Sequence, residues 1–259
     1  MKEPTREELP GGVLSMPPRL CLDAAIVVAA LGAIAATVWF GLIRPPATPP
    51  PRALLTPIES QSLSGAHVRG SPSARVAVIE YADFECPYCG VFAATVLPTI
   101  VRSYVDTGRV LFAFEDLPLP NHKLAPDAAR GAECAGRQGL FWAMHDRLFL
   151  NQRELAQTRL SSVAASIGAD QSLFEKCLSS LGKEVTQNTV HRAAVLGIHG
   201  TPTFFVGTLE RDGRVKVTDV VVGSKSVAEF SMLLDSVLKA VPSTDLSSAS
   251  VSPDANAKR

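Results

Sequence analysis

Hydrophobic and polar residues follow three different patterns along this chain. From Ala24 to Ile43 (AAIVVAALGAIAATVWFGLI) there is no charged residue and no alternation. At about 1.5 Å per residue this run reaches roughly 30 Å, the thickness of a bilayer core. Short apolar runs of strand length come later: Val76–Tyr81 (VAVIEY), Val110–Phe114 (VLFAF), Thr203–Val206 and Val215–Val222. Glu210-Arg211-Asp212-Gly213 between the last two reads as a hairpin turn. Helical spacing governs the rest. It covers residues 87–107, with Val91, Leu97, Ile100, Val101 and Tyr104 on one face, and nearly all of 124–197, with breaks near Gly139, Gly168 and Gly182. It returns in Val227, Phe230, Leu233, Leu234, Val237 and Leu238. The order β-α-β, helical block, β-β-α predicts an α/β fold with an inserted helical block, preceded by one transmembrane helix.

These patterns divide the chain into five segments. Residues 1–20 are polar and mixed in charge, and residues 21–43 form the expected membrane anchor. A cleaved signal peptide has a shorter apolar region followed by small residues. Ala33-Ile34-Ala35 could mimic such a site, but Val38, Trp39 and Phe40 carry the apolar run past it, which favours an uncleaved span over a signal peptide or a buried helix. Residues 44–64 are a Pro-rich linker whose prolines favour extended polyproline geometry. Residues 65–241 are the folded domain, and 242–259 a polar tail of low complexity expected to be disordered. The flanking Lys and Arg residues lean toward an N-terminus inside the cell, which puts the domain outside it.

A formal net charge of zero gives no electrostatic argument for nucleic acid as a partner. The five cysteines change the picture more: Cys21 at the membrane edge, Cys86 and Cys89 as a C-x-x-C, and Cys134 and Cys177 standing apart. Cys86-Pro87-Tyr88-Cys89 falls where a strand ends and a helix begins. There a thiol meets unpaired N–H groups and the positive end of the helix dipole, which stabilise the thiolate that attacks disulfides. Pro87 suits the first helical turn, where its missing N–H is not needed. Cys86 is then the attacking, more exposed sulfur and Cys89 the resolving one. Zinc is the rival reading, but structural zinc needs a second close Cys/His pair, and His122, His191 and His199 are scattered singly. No metal and no cofactor beyond the dithiol is expected. Phe141, Trp142, Met144, Phe149 and Leu150 read as a core stripe, and Asp83 and Glu85 as exposed turn residues.

Gly200-Thr201-Pro202-Thr203-Phe204-Phe205 opens a strand with a Pro, which excludes mid-sheet pairing at that point. Together with EYADFECPYCGVF (80–92), LPLPNHKLAPDAA (117–129) and LGIHGTPTFFVG (196–207), it makes the chain from about residue 66 to 240 resemble the DsbA-like branch of the thioredoxin superfamily. The resemblance implies a thioredoxin-like fold with a helical insertion and a cis Pro202 facing the C-x-x-C. It implies that Thr201 docks substrate peptide through its backbone. It also implies that Glu80, six residues before Cys86, is buried near Cys89 and takes its proton. Tyr88 stands where a strong oxidant of the branch carries His, and Glu85 adjoins Cys86; both argue for a potential nearer about −200 than −120 mV. Some members carry a second bridge, so Cys134 and Cys177 are either a structural disulfide or two buried thiols.

The expected activity is thiol–disulfide exchange on exported proteins bearing thiols or disulfides, most simply oxidation of folding substrates in concert with a membrane redox partner. Such a protein would be single-pass in the inner membrane, its redox domain on the periplasmic side. A reductase or isomerase fed by a membrane electron donor is the alternative, and a non-catalytic peptide-binding module on the same scaffold a more distant one.

Overall fold

The computed structural model describes residues 60–241. The polar segment 1–20, the expected anchor 21–43, residues 44–59 of the 44–64 linker and the tail 242–259 lie outside the described residues. The fold begins inside the expected linker: Gln61–Ser62 forms strand β1, paired antiparallel with Arg214 and Val215.

Six strands form one mixed sheet in the order β1-β6-β5-β3-β4-β2. They are β1, β2 (His67–Arg69), β3 (Val76–Ala82), β4 (Val110–Asp116), β5 (Thr203–Leu209) and β6 (Arg214–Val222). β3 is the axis, parallel to β4 and antiparallel to β5. Every residue of β3 is buried, because both faces of the sheet are covered. Alternation sends Val76 and Val78 to one face, against Phe92, Ile100 and Phe230, and Ala77, Ile79 and Tyr81 to the other, against Ala193 and Ile198. Glu80 shares the parity of Val76 and Val78, so it points to the face that carries the C-x-x-C helix.

That helix is α1 (Pro87–Thr95), followed by α2 (Leu97–Ile100) and one wider turn to Val105. The sequence predicts one continuous helix over 87–107, and the break has a cause. Pro98 has no N–H for the preceding turn, and the Thr95 hydroxyl bonds back to the Val91 carbonyl at 2.7 Å. Pro87–Val105 is also long and apolar enough to cross a membrane by length and composition, yet it serves here as a core helix. Phe92 anchors it, its ring 4.5 Å from that of Phe204 and 5.3 Å from that of Phe230. Truncating such a buried ring typically costs about 3–5 kcal/mol.

The inserted block spans α3 (Ala125–Gly136), α4 (Phe141–Leu150), α5 (Leu160–Ser166), α6 (Gln171–Ser180) and α7 (Gln187–Val195). Gly139 and Gly168 end helices at φ values of +74° and +83°, which residues with a Cβ rarely adopt. A further break, at the short turn Gln152–Glu154, has no glycine to announce it. The final helix α8 (Val227–Ala240) packs Phe230 and Leu234 onto the sheet.

The core of the block departs from expectation in two ways. Leu150 is 72 % exposed, because it ends α4 on the solvent side of the apolar stripe. His145 lies fully buried among Phe84, Phe114, Trp142 and Phe149, bonded through Nδ1 to Asp146 at 2.8 Å. Cys134 of α3 and Cys177 of α6 are joined in a disulfide with Cα atoms 5.7 Å apart.

Two outcomes follow for stability. Burial holds the His145 pKa below its ordinary value, against the pull of Asp146. The unfolded chain therefore takes up a proton below about pH 6.5 that the native state refuses, and stability falls by up to about 1.4 kcal/mol per pH unit from there downward. The gap in Tm between wild type and His145→Phe should thus move in favour of the variant as pH drops from 7.5 to 5; a constant gap would contradict the assignment. The double variant Cys134→Ala/Cys177→Ala should lose about 2–4 kcal/mol in denaturant titration, the range for a loop of this length. Peptide mapping without reductant should recover the linked pair from wild type.

Candidate active site

The chemistry collects where β3 ends. The chain leaves the sheet at Ala82, turns through Asp83–Glu85 and enters α1, with Cys86 as its N-cap in extended geometry (φ −73°, ψ 120°) and Pro87 in the first turn. No side-chain oxygen caps this helix; the sulfur occupies that place. Cys86 and Cys89 are free thiols, and both are buried. Cys86 is 4 % exposed and Cys89 wholly covered, so Cys86 is the more accessible of the two. Tyr88 between them projects outward, 67 % exposed.

Three sets of donors surround the Cys86 sulfur. The Cys89 thiol is the strongest influence, followed by the Thr201 side chain and the backbone N–H groups of Cys89 and Tyr88; together they overcome burial and pull the Cys86 pKa down to about 5. The Thr201–Pro202 peptide bond is cis, and the Cys86 thiol donates to the Thr201 carbonyl at 3.2 Å. The Thr201 hydroxyl is buried with no acceptor while Cys86 is a thiol, which leaves it free to serve the thiolate. Cys89 behaves oppositely: burial, its bond to Cys86 and the negative potential of Glu80 drive its pKa far up. Glu80 is 1 % exposed, and burial, with a contribution from Cys86, raises its pKa well above the ordinary carboxyl range. Geometry therefore brings Cys86, Cys89, Glu80, Thr201 and Pro202 to one place, while Cys134 and Cys177 lie in the block as a separate pair. Among the described residues, no group of three or more His, Cys, Asp or Glu is arranged to hold a metal ion.

Asp83 and Glu85 are not exposed turn residues. Asp83 is 1 % exposed: its Oδ1 accepts from the Glu85 N–H at 2.7 Å, and its Oδ2 from the Leu119 N–H at 2.7 Å and His122 Nδ1 at 2.8 Å. Glu85 Oε2 accepts from the N–H groups of Leu124 and Ala125, at 2.8 and 3.2 Å, where α3 begins. Its charge is engaged by a second helix N-terminus, which offsets part of its repulsion of a Cys86 thiolate. Gln152, from the unannounced turn after α4, donates to the carbonyls of Phe84 at 2.9 Å and Cys86 at 2.8 Å. These three residues are missed by sequence reasoning. The one available signal was the LPLPNHKLAP stretch, whose backbone donors need acceptors from somewhere.

The family model described as Thioredoxin matches residues 62–235. Among solved structures, alpha-DsbA1 of Wolbachia pipientis superposes with a TM-score of 0.57 at 26 % identity, covering 70 % of this chain and 94 % of that one. BdbD from Bacillus subtilis, in its oxidised form, gives a TM-score of 0.57 at 25 % identity, covering 70 % and 97 %. Curated relatives include the Na(+)/H(+) antiporter NhaA 3 of Salinispora tropica, 40 % identical over 149 residues; the match takes in 57 % of this chain and 22 % of the antiporter. The chain thus spans less than a quarter of the length of that relative. With the dithiol at the head of α1, the cis-proline loop against it and the helical block inserted between β4 and β5, the chain belongs to the thioredoxin family, in its branch of DsbA-like thiol–disulfide oxidoreductases.

Proposed function

We propose that this protein is a membrane-anchored oxidase of exported proteins, working through Cys86 and Cys89. The single observation that carries the reading is the contrast in placement of the two sulfurs: Cys86 caps α1 beside the Cys89 thiol and against the Thr201–Pro202 loop, which lowers its pKa, and Cys89 lies wholly covered one turn on, which raises its own. In the oxidised enzyme a substrate thiolate attacks Cys86 Sγ, the accessible sulfur, and the Cys86–Cys89 bond breaks. The electron pair leaves on Cys89, and Glu80 is placed to supply the proton that this buried sulfur demands. A second substrate thiolate then attacks the substrate sulfur of the mixed disulfide and expels Cys86 as a thiolate. Substrate loses two electrons as its disulfide forms; the enzyme gains them as a dithiol, to be passed to a membrane redox partner. Thr201, whose carbonyl faces Cys86, is suited to pairing with the substrate backbone.

The lowered thiol pKa supports oxidation as the direction of flow. Lowering a thiol pKa from 9.0 to about 5 stabilises the reduced form about 100-fold at pH 7 and displaces the couple by on the order of 60 mV toward oxidising. The neutral Tyr88 pulls less than a cationic neighbour, so the potential falls between those of strong oxidants and glutaredoxins. The Cys134–Cys177 bridge supports a site of action in an oxidising compartment, and the uncharged run Ala24–Ile43 supports a tether. Protease added to the outer face of intact cells should remove the domain; full protection would overturn this topology.

Exchange activity should vanish in Cys86→Ser. Cys89→Ser should accumulate mixed disulfides visible on non-reducing gels, and turnover by Cys86→Ser would sink the assignment. Alkylation of Cys86 by iodoacetamide should rise with pH around a midpoint near 5. Thr201→Val, which removes the hydroxyl and keeps the shape, should move that midpoint upward and make the dithiol less oxidising in glutathione buffer. An unchanged midpoint would remove Thr201 from the thiolate's support.

A further inference from the structure

We propose that Gln152 is a positioning residue for disulfide exchange, acting on Cys86 through the backbone of the catalytic turn. The inference rests on the exchange reading above and deepens it. Gln152 belongs to the inserted block, not to the thioredoxin-like half, and lies 66 residues from Cys86 in sequence. Its Nε2 donates two hydrogen bonds, to the carbonyls of Phe84 and Cys86, at 2.9 and 2.8 Å. The Cys86 carbonyl is also the first acceptor inside α1, taking the Gly90 N–H at 3.1 Å. One amide therefore grips the chain on both sides of Glu85 and fixes the two peptide planes that aim Cys86 Sγ at the head of the helix.

Gly90 makes room for this grip. A Cβ built at residue 90 would stand 2.3 Å from Gln152 Oε1 and 3.0 Å from its Cδ. No side chain, however small, fits there unless the amide moves. The pair thus forms a lock between α1 and the turn after α4, in which a missing methyl on one element receives a side chain from the other.

The electrostatic consequence has a definite sign. The two gripped carbonyls belong to Cys86 itself and to the turn leading into it, and an N–H donor on each withdraws part of their negative potential. The Tyr88 and Cys89 N–H groups stabilise the thiolate only while the turn holds them toward the sulfur, an arrangement sensitive to the orientation of these same peptide planes. Losing the amide frees two carbonyls in a partly buried place and loosens that aim. Gln152 touches no reacting atom; it acts through Cys86.

The test uses the full-length chain. Gln152→Ala deletes the donor, Gln152→Glu replaces it with an isosteric acceptor facing two carbonyls, and Gly90→Ala evicts the amide while leaving residue 152 intact. Thiolate formation at Cys86 is followed by absorbance near 240 nm against pH, the redox equilibrium in glutathione buffers, and folding by Tm. Each variant should raise the Cys86 midpoint and lower the oxidising equilibrium constant by about fivefold, the size of one typical net hydrogen bond out of the two removed. Gly90→Ala combined with Gln152→Ala should be no worse than either alone, since both remove the same contact.

A fall in Tm in Gln152→Ala and Gly90→Ala with midpoint and equilibrium constant unchanged would reduce Gln152 to a structural prop and overturn the proposal. Should Gln152→Glu fail to fold, Gln152→Ala and Gly90→Ala decide alone. If wild type exchanged no disulfides at all, the exchange reading would fail, while the midpoint comparison would still judge Gln152.

Discussion

The first turn of an α-helix leaves backbone N–H groups with no helical acceptor, and most proteins satisfy them with oxygen. This one offers sulfur. Cys86 as N-cap turns an unsolved hydrogen-bonding problem into a stabilised anion, and the neighbouring residues serve that arrangement. Pro87 begins the helix without adding a competing donor. Cys89, one turn on, is buried deeply enough to hold its proton, and the same burial raises the pKa of Glu80, the acid on the central strand. The difference between the two sulfurs comes from depth and from the donors around Cys86, the Cys89 thiol foremost, with Glu80 adding to the rise at Cys89.

A turn that carries such a charge has to be held still. Asp83 ties it to the Leu119–His122 loop, Glu85 ties it to the start of α3, and Gln152 ties its carbonyls to the turn after α4. All three anchors end in the segment between β4 and β5. The inserted block is therefore part of the site's scaffold, joined to it by directional bonds as well as by the packing of Phe84 against Phe114 and Phe149. Glu85 has a double role: its carboxylate completes the N-terminus of α3 while its backbone forms the approach to α1.

What could be read from sequence follows the range of the physics involved. Period-two and period-3.6 patterns are local, so β3, β4, β5, β6 and most helices stood out, as did the C-x-x-C and the Thr-Pro step, whose chemistry lies in adjacent residues. β1 and β2, at two and three residues, are too short to show a period. Asp83, Glu85 and Gln152 act on backbone groups 36 to 68 residues away, and nothing beside them in the chain records the partner. Asp and Glu beside a turn look like solvated residues unless the distant donors are known. His145 inside an apolar stripe was likewise invisible as a buried titratable group, because helical spacing says which face is inward and not what else lines it.

The Cys134–Cys177 bridge has a mechanical side. The cross-link spans 43 residues of sequence and lies near the middle of the domain. Under tension applied at the two ends of the chain, force runs through the S–S bond and bypasses everything between the two cysteines. At about 3.6 Å per residue, roughly 150 Å of contour is withheld from extension while the bridge is intact. α4, α5 and most of α6 lie within that shielded loop, whereas β3, the catalytic turn, most of α3 and α7 lie on the loaded path. A domain pulled at its two ends would thus carry the load through its chemistry while the looped part of its insertion is spared.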